Sequence, residues 1–463
     1  MRSSVTKMPE EEKKLSVDEL IKKAEKPSRK AEVYHPFYRG KVETIPKAPI
    51  RDFNDFAIWY TPGVARPCKT IQQNKDQVYK YTNKWNSVAV VSDGTRVLGL
   101  GDIGPEAGLP VMEGKAMLFK YLGGVDAVPV MLDTKDPEKF IETVKILQPT
   151  YGGINLEDIS SPKCFYILDR LRKEMDIPVW HDDQQGTASV ELAGTINALK
   201  YTGKKMNESR FTIVGTGAAN IAFVRILISA GVPAKHIVMV DSKGTLHPGR
   251  KDLEEQKEYN PYKWKYALET NGDGIVGDIA TALKGSDMVI AASKPGPGTI
   301  KAEWIKSMAD NSIVFPVANP VPEIWPWEAK EAGAVVIGTG RSDFPNQVNN
   351  SLGFPGIFRG TLDVMAKTIT DEMAIAASYE LAAVAEEKGL REDYIIPNMD
   401  EWEVFPREAV AVGMKAMEQG IARIKVSRQE LMEKAEQIIR RSRDMTKYIM
   451  EKKEFIAEPP EVN

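Results

Sequence analysis

The chain has 463 residues, 42% of them hydrophobic and 27% charged, with 62 basic residues set against 65 acidic ones. That length exceeds one ordinary core and predicts two domains. The near-balance of charge argues against a nucleic-acid partner, and the lack of any 18-residue apolar run argues against a membrane span.

Only Cys68 and Cys164 are present, too few for a disulfide framework. The four histidines, His35, His181, His236 and His247, are scattered without metal-binding or catalytic spacing. The opening MRSSVTKMPEEEKK has no apolar signal core. These features predict a cytoplasmic protein whose acid–base chemistry falls to lysine, tyrosine or carboxylates.

Residues 9–32 are charge-rich with a helical pattern. Apolar runs then recur as SVAVVSD, VLGLGD, AVPVML, YGGINLED and IPVWHDD, with the amphipathic stretches EGKAMLFKYL, PEKFIETVKIL and KCFYILDRLRKEM between them. Strands alternating with helical periods predict βαβ units and a parallel sheet. TASVELAGTINALKYT predicts a longer helix leading to a second series, FTIVG, HIVMVD, DMVIAA, SIVFPVAN and AVVIG, which has the pattern of a doubly wound nucleotide-binding domain. The predicted fold is therefore α/β. It divides into an N-terminal α/β substrate domain (1–184), a Rossmann-like domain (185–362) and a helical C-terminal segment (363–463).

In FTIVGTGAAN, Gly215, Thr216, Gly217, Ala218 and Ala219 lie between a strand and a helix, where glycines admit a tight turn and the helix N-terminus favours a pyrophosphate. Asn220 replaces the third glycine of the usual fingerprint, so an ordinary strand–helix turn is the competing reading. The next strand ends in Asp241, where an acid would bind a ribose hydroxyl and favour NAD; Ser242 and Lys243 follow and would instead receive the 2′-phosphate of NADP.

Glu157 and Asp158 close one predicted strand, and Asp182 and Asp183 close another. Adjacent parallel strands would gather these acids at one edge, and an all-oxygen set suits Mg²⁺ or Mn²⁺. The competing reading is a pair of solvated turns, with Asp183 capping the following helix. Lys115 is placed at a helix start after a glycine-rich loop, where a nearby cation would lower its pKa and make it a base. Tyr60 precedes a Thr-Pro-Gly turn and could simply pack. Arg96 could clamp a carboxylate or form a surface ion pair.

Taken in order, YTPGVARPC, TRVLGLGDIG, MEGKAMLFK, NLEDI, HDDQQGTA, IVGTGAAN, ANPVPE and SDFPNQVNNSLGFPGIFRG resemble the malic enzyme family, over about Tyr34 to Lys434. The length resembles its shorter prokaryotic members, without a fused acyltransferase domain. Gln185 stands where those members often carry histidine. The resemblance implies oxidative decarboxylation of malate to pyruvate with NAD or NADP, dependent on a divalent metal, in a homodimer or larger homo-oligomer. It implies Tyr60 as general acid, Lys115 as general base with Asp182 in support, and Glu157, Asp158 and Asp183 as metal ligands. Arg96, Lys115, Asn319 and Asn350 would hold substrate; Gly215 to Ala219, Asp241, Ser242, Lys243 and Asn319 would hold the dinucleotide. A dehydrogenase acting on another small acid without decarboxylation is the alternative, separable by its indifference to metal.

Overall fold

The structure is a computed structural model that describes residues 17–462. Ile45–Thr446 form one compact unit, and the segments up to Thr44 and from Lys447 form a second. The expected N-terminal helix is present as Val17–Tyr38; the part of it expected before Val17 lies outside the described residues.

Four parallel strands make the first sheet: β1 (Ser87–Ser92), β2 (Asp126–Met131), β3 (Gly153–Leu156) and β4 (Val179–His181), in the order β2-β1-β3-β4. The crossovers are the helices Pro105–Gly123, Pro137–Leu147 and Lys163–Glu174. Pro137 starts its helix, where no amide partner is needed, and the Asp136 carboxylate caps it by accepting from the Glu138 amide at 2.9 Å. β1, β3 and β4 are buried throughout, which is why they read as continuous apolar runs.

Two expectations need correction. VLGLGD is not a strand but a tight loop, closed by the Val97 amide donating to the Gly101 carbonyl at 2.9 Å, with Leu98 and Leu100 exposed. Its alternating glycines leave no side chains to pack on one face, and Gly101 takes a positive φ of 83°. The helix carrying Lys115 begins earlier than expected, at Pro105, ten residues before Lys115, which sits inside it rather than at its start.

The second sheet has the order β10-β9-β8-β5-β6-β7: β5 (Phe211–Val214), β6 (Ile237–Asp241), β7 (Gly244–Thr245), β8 (Met288–Ala291), β9 (Ile313–Pro316) and β10 (Val336–Ile337). All pairings are parallel except β6 with β7, a short return that the sequence pattern did not signal. The strand order reverses beside β5, and the Gly215 turn leaves the carboxyl end of that strand. Beyond Asp363 the chain is mostly helical, as expected, with Asp371–Glu387 packed between Thr187–Tyr201 and Val404–Glu418. Among the described residues, no helix is long and apolar enough to cross a membrane.

Candidate active site

The parallel pairing of β3 with β4 delivers Glu157–Asp158 and Asp182–Asp183 to one sheet edge. Asp182 opens a π-helical turn, Asp182–Gly186, a distortion that recurs at functional sites. Only glycine fits at its end: a Cβ on Gly186 would stand 1.9 Å from Asp182 Oδ1. The Asp182 carboxylate is fully buried and accepts from Trp180 Nε1 at 3.1 Å and from Lys115 Nζ at 2.6 Å.

Lys115 reaches this edge from the helix Pro105–Gly123. Its ammonium also lies 3.1 Å from Glu157 Oε1 and 4.4 Å from the centre of the Phe354 ring. Burial alone would lower its pKa, but Asp182 and Glu157 outweigh that and raise it above the ordinary lysine range. The lowered pKa expected from the sequence is that of a lysine with a cation beside it, whose charge would oppose these two carboxylates. The acids that would receive a divalent cation hold the proton on Lys115 instead.

The acids themselves are poorly matched. Burial pushes the Glu157 carboxyl well above its usual range; Lys115 opposes that rise, and the neighbouring aspartates add to it. Asp158 is pushed up to about 8, by burial and then by the Asp183 charge, and its Oδ2 is buried with no hydrogen-bond partner. Asp183 does not cap the following helix; its Oδ2 accepts from the Asp158 amide at 2.8 Å. The donor set fits a hard divalent cation, because four carboxylates face one ammonium and one buried oxygen is unpaired. Among the described residues, no three His, Cys, Asp or Glu side chains already converge on one point. Glu157 Oε2 is turned instead to Asn155 Nδ2, at 2.9 Å.

Around this cluster, Arg96 is exposed, and its backbone amide donates to the Asp158 carbonyl at 3.0 Å. Asn350 borders the π-helical turn: a Cβ on Gly186 would lie 3.4 Å from the Asn350 Cβ. Asn319 follows β9, packed so tightly on Gly340 that a Cβ there would meet its Nδ2 at 2.6 Å. Tyr60 ends the helix Phe53–Trp59 and is 69% exposed, with no hydrogen bond to these carboxylates.

On the second sheet, Gly215 adopts φ 103° with its Cα face against the Ala292 carbonyl, a close approach closed to any side chain. Gly217 has open space where a Cβ would be, as a loop receiving phosphates requires. Asn220, the departure from the fingerprint, braces the turn from below. Its side-chain amide donates to the carbonyls of Val214 at 2.8 Å and Gly215 at 3.1 Å. Asp241 ends β6 as expected, but its carboxylate is held by Arg250 and Lys263, neither of which was singled out from the sequence. Position alone gave no signal for them, since they lie nine and twenty-two residues further along.

The chain is similar to known proteins over most of its length. Residues 39–172 match the family model described as malic enzyme, N-terminal domain, and residues 184–418 match that described as malic enzyme, NAD binding domain. The chain is 50% identical over 404 residues to a bifunctional malic/malolactic enzyme of Bacillus subtilis, covering 87% of this chain and 96% of that protein. It is 50% identical over 384 residues to an NAD-dependent malic enzyme of Geobacillus stearothermophilus, covering 83% of this chain and 78% of that one. The crystal structure of Entamoeba histolytica malic enzyme superposes with a TM-score of 0.93 at 50% identity, covering 96% of this chain and 93% of that one. The chain belongs to the malic enzyme family.

Proposed function

We propose that the two sheet edges divide one reaction, the oxidative decarboxylation of malate to pyruvate and CO₂ with reduction of NAD or NADP. The observation that carries this reading is Lys115 held between Asp182 and Glu157, whose chain neighbours Asp183 and Asp158 are hydrogen-bonded to each other. We read 1–184 as the substrate half, 185–362 as the dinucleotide half and 363–463 as helical support for both.

Glu157, Asp158 and Asp183 would hold Mg²⁺ or Mn²⁺. Such an ion, when bound, supplies positive charge beside the malate C2 oxygen. Lys115 takes the C2 hydroxyl proton as hydride leaves C2, and Asp182, 2.6 Å from Nζ, stabilises the ammonium so formed. With Glu157 and Asp182 both turned to it, the ammonium has two anionic supports; engaging Glu157 elsewhere removes one and brings the Lys115 pKa down towards that of a base. Arg96 and Asn350 hold the substrate carboxylates, and Asn319 lies between substrate and nicotinamide. Gly215, Thr216, Gly217, Ala218 and Ala219 cradle the dinucleotide phosphates, and Asp241, Ser242 and Lys243 face its ribose.

The C3–C4 bond then breaks to release CO₂, leaving its electron pair in an enolate, and Tyr60 donates a proton to C3 of that enolate to give pyruvate. Its exposure, beside Phe53, Phe56, Ile58 and Trp59 on the same surface, supports a homodimer in which this apolar face is covered by a second copy and Tyr60 enters that copy's site. Mixing Lys115→Ala with Tyr60→Phe chains tests the arrangement: mixed dimers regain activity if Tyr60 acts across the interface, and stay inactive if it serves its own chain. The two unpaired cysteines and the balanced charge support a cytoplasmic location.

Initial rates with malate, Mn²⁺ and each dinucleotide in parallel, following reduced cofactor and CO₂ together, test the reaction itself. Cofactor reduction without CO₂, or without need of Mn²⁺, would favour the alternative of a simple dehydrogenase.

A further inference from the structure

An acid at the end of the second strand of a dinucleotide fold ordinarily accepts a hydrogen bond from the ribose 2′-hydroxyl and repels a 2′-phosphate. Asp241 stands at that place, yet its carboxylate is already filled. Oδ1 accepts from the Lys243 amide at 2.8 Å and from Arg250 Nη1 at 3.1 Å; Oδ2 accepts from Arg250 Nη2 at 3.0 Å and from Lys263 Nζ at 2.5 Å. A carboxylate offers about four lone-pair sites, so none is left for a ribose hydroxyl. Burial would raise the Asp241 pKa, but the bonds from Arg250 and Lys263 outweigh it and hold the group ionised.

The clamp is fixed from below. Arg250 is mostly buried and spans two acids, with Nε 2.7 Å from Asp252 Oδ1 and Nη2 2.8 Å from Asp252 Oδ2. Its Nη1 also faces the carbonyls of Gly244 and Thr245, at 3.4 and 3.3 Å, which ties it to the β6–β7 turn. Lys243 adds a third cation, paired with Asp252 at 3.1 Å but with most of its side chain in solvent. Two carboxylates thus face three cations at the place where the ribose substituent arrives.

We propose that Arg250 is the specificity-determining residue of this cofactor site: with Lys263 it cancels the repulsion of Asp241, so that the chain accepts a 2′-phosphorylated dinucleotide and prefers it to the unphosphorylated one. Asp241 then acts as a positioning residue that orients Arg250. The proposal rests on the dinucleotide assignment made above and deepens it.

The test uses the full chain, without malate or metal, and calorimetric titration with 2′,5′-ADP and with 5′-AMP, two fragments that differ by the 2′-phosphate. The wild type is expected to bind 2′,5′-ADP about tenfold more tightly, through the excess positive charge of the cluster, since the five N–H groups of Arg250 are already engaged. Arg250→Gln should erase that preference by weakening 2′,5′-ADP about tenfold more than 5′-AMP. Asp241→Asn, which releases both cations while keeping the side-chain shape, should widen it. A wild-type preference for 5′-AMP, or substitutions that move both ligands by one factor, would overturn the proposal and leave the dinucleotide site standing. If neither fragment binds the wild type, and malate supports reduction of neither dinucleotide, the dinucleotide reading fails as well.

Discussion

Two strand ends in this molecule gather acids, and they do so with opposite electrostatics. After β3 and β4, four carboxylates share one buried ammonium, and Asp158 keeps an oxygen without a partner. After β6, Asp241 and Asp252 face Arg250, Lys263 and Lys243. In the first place burial raises Glu157 and Asp158 above the ordinary carboxylate range; in the second the cations win, and Asp241 and Asp252 are held below it. The same residue type at the same topological position therefore says little until its counter-charges are counted. One edge carries an excess of negative charge and the other an excess of positive charge.

The comparison is broken most severely by removing the buried cation of the first edge. Lys115→Ala deletes the base and leaves Asp182 buried with its main partner gone, so malate-dependent cofactor reduction is expected to fall by about 10³-fold or more. Stopped-flow absorbance of the reduced nicotinamide reads that step directly. Reduction at the wild-type rate would remove Lys115 from the chemistry.

Tyr60→Phe separates proton supply from charge, because it removes a hydroxyl and no charged group. Turnover is expected to drop on the order of 10²–10⁴-fold without a matching rise in KM. The variant should also tautomerise added enolpyruvate slowly. Tautomerisation at the wild-type rate would hand both proton transfers to Lys115.

A third acid sharpens the contrast by having no cation at all. Glu191, in the helix Thr187–Tyr201, is fully buried with neither oxygen hydrogen-bonded; burial, and then the Glu323 charge, push it up to about 8. Between its ordinary value of 4.5 and about 8 the folded chain holds a proton that the unfolded chain has released. The stability this contributes is therefore complete below 4.5 and is lost as pH rises to 8. Glu191→Gln should leave the melting temperature nearly unchanged at pH 5 and raise it at pH 9, by roughly 1–3 kcal/mol of stability. Equal shifts at both pH values would mean that Glu191 is paired in solution. The smallest effect belongs to the exposed cation of the second edge: Lys243→Ala should raise KM for NADP⁺ a few-fold, with NAD⁺ use little changed, in parallel initial-rate assays.

Much of this contrast was legible in the sequence, though not its sign. Apolar runs ending in Glu157–Asp158 and Asp182–Asp183 announce two buried parallel strands with acids at their ends, and the structure pairs them. Gly215-Thr216-Gly217 announces the turn after β5. The sequence could not show that Leu98 and Leu100 belong to a loop, because alternating glycine and leucine mimic a strand's period of two. Nor could it show Arg250 and Lys263 folding back on Asp241, since that contact depends on the β6–β7 return and the helix Pro261–Glu269. Lys115 stands out as a residue, but its pKa follows from distances to Asp182 and Glu157 that only the fold supplies.

Whether the first edge takes a divalent cation is the point on which the rest depends. Titrating Mn²⁺ into the wild type and Asp183→Asn, without malate or dinucleotide, and following the loss of free-ion paramagnetic resonance, measures this without reference to turnover. The expected result is one Mn²⁺ per chain in the wild type and binding weakened on the order of 10–100-fold in Asp183→Asn, which loses an anionic ligand. Equal Mn²⁺ binding by the two chains would contradict the cation site and return the four carboxylates to an ion-pair network built only around Lys115.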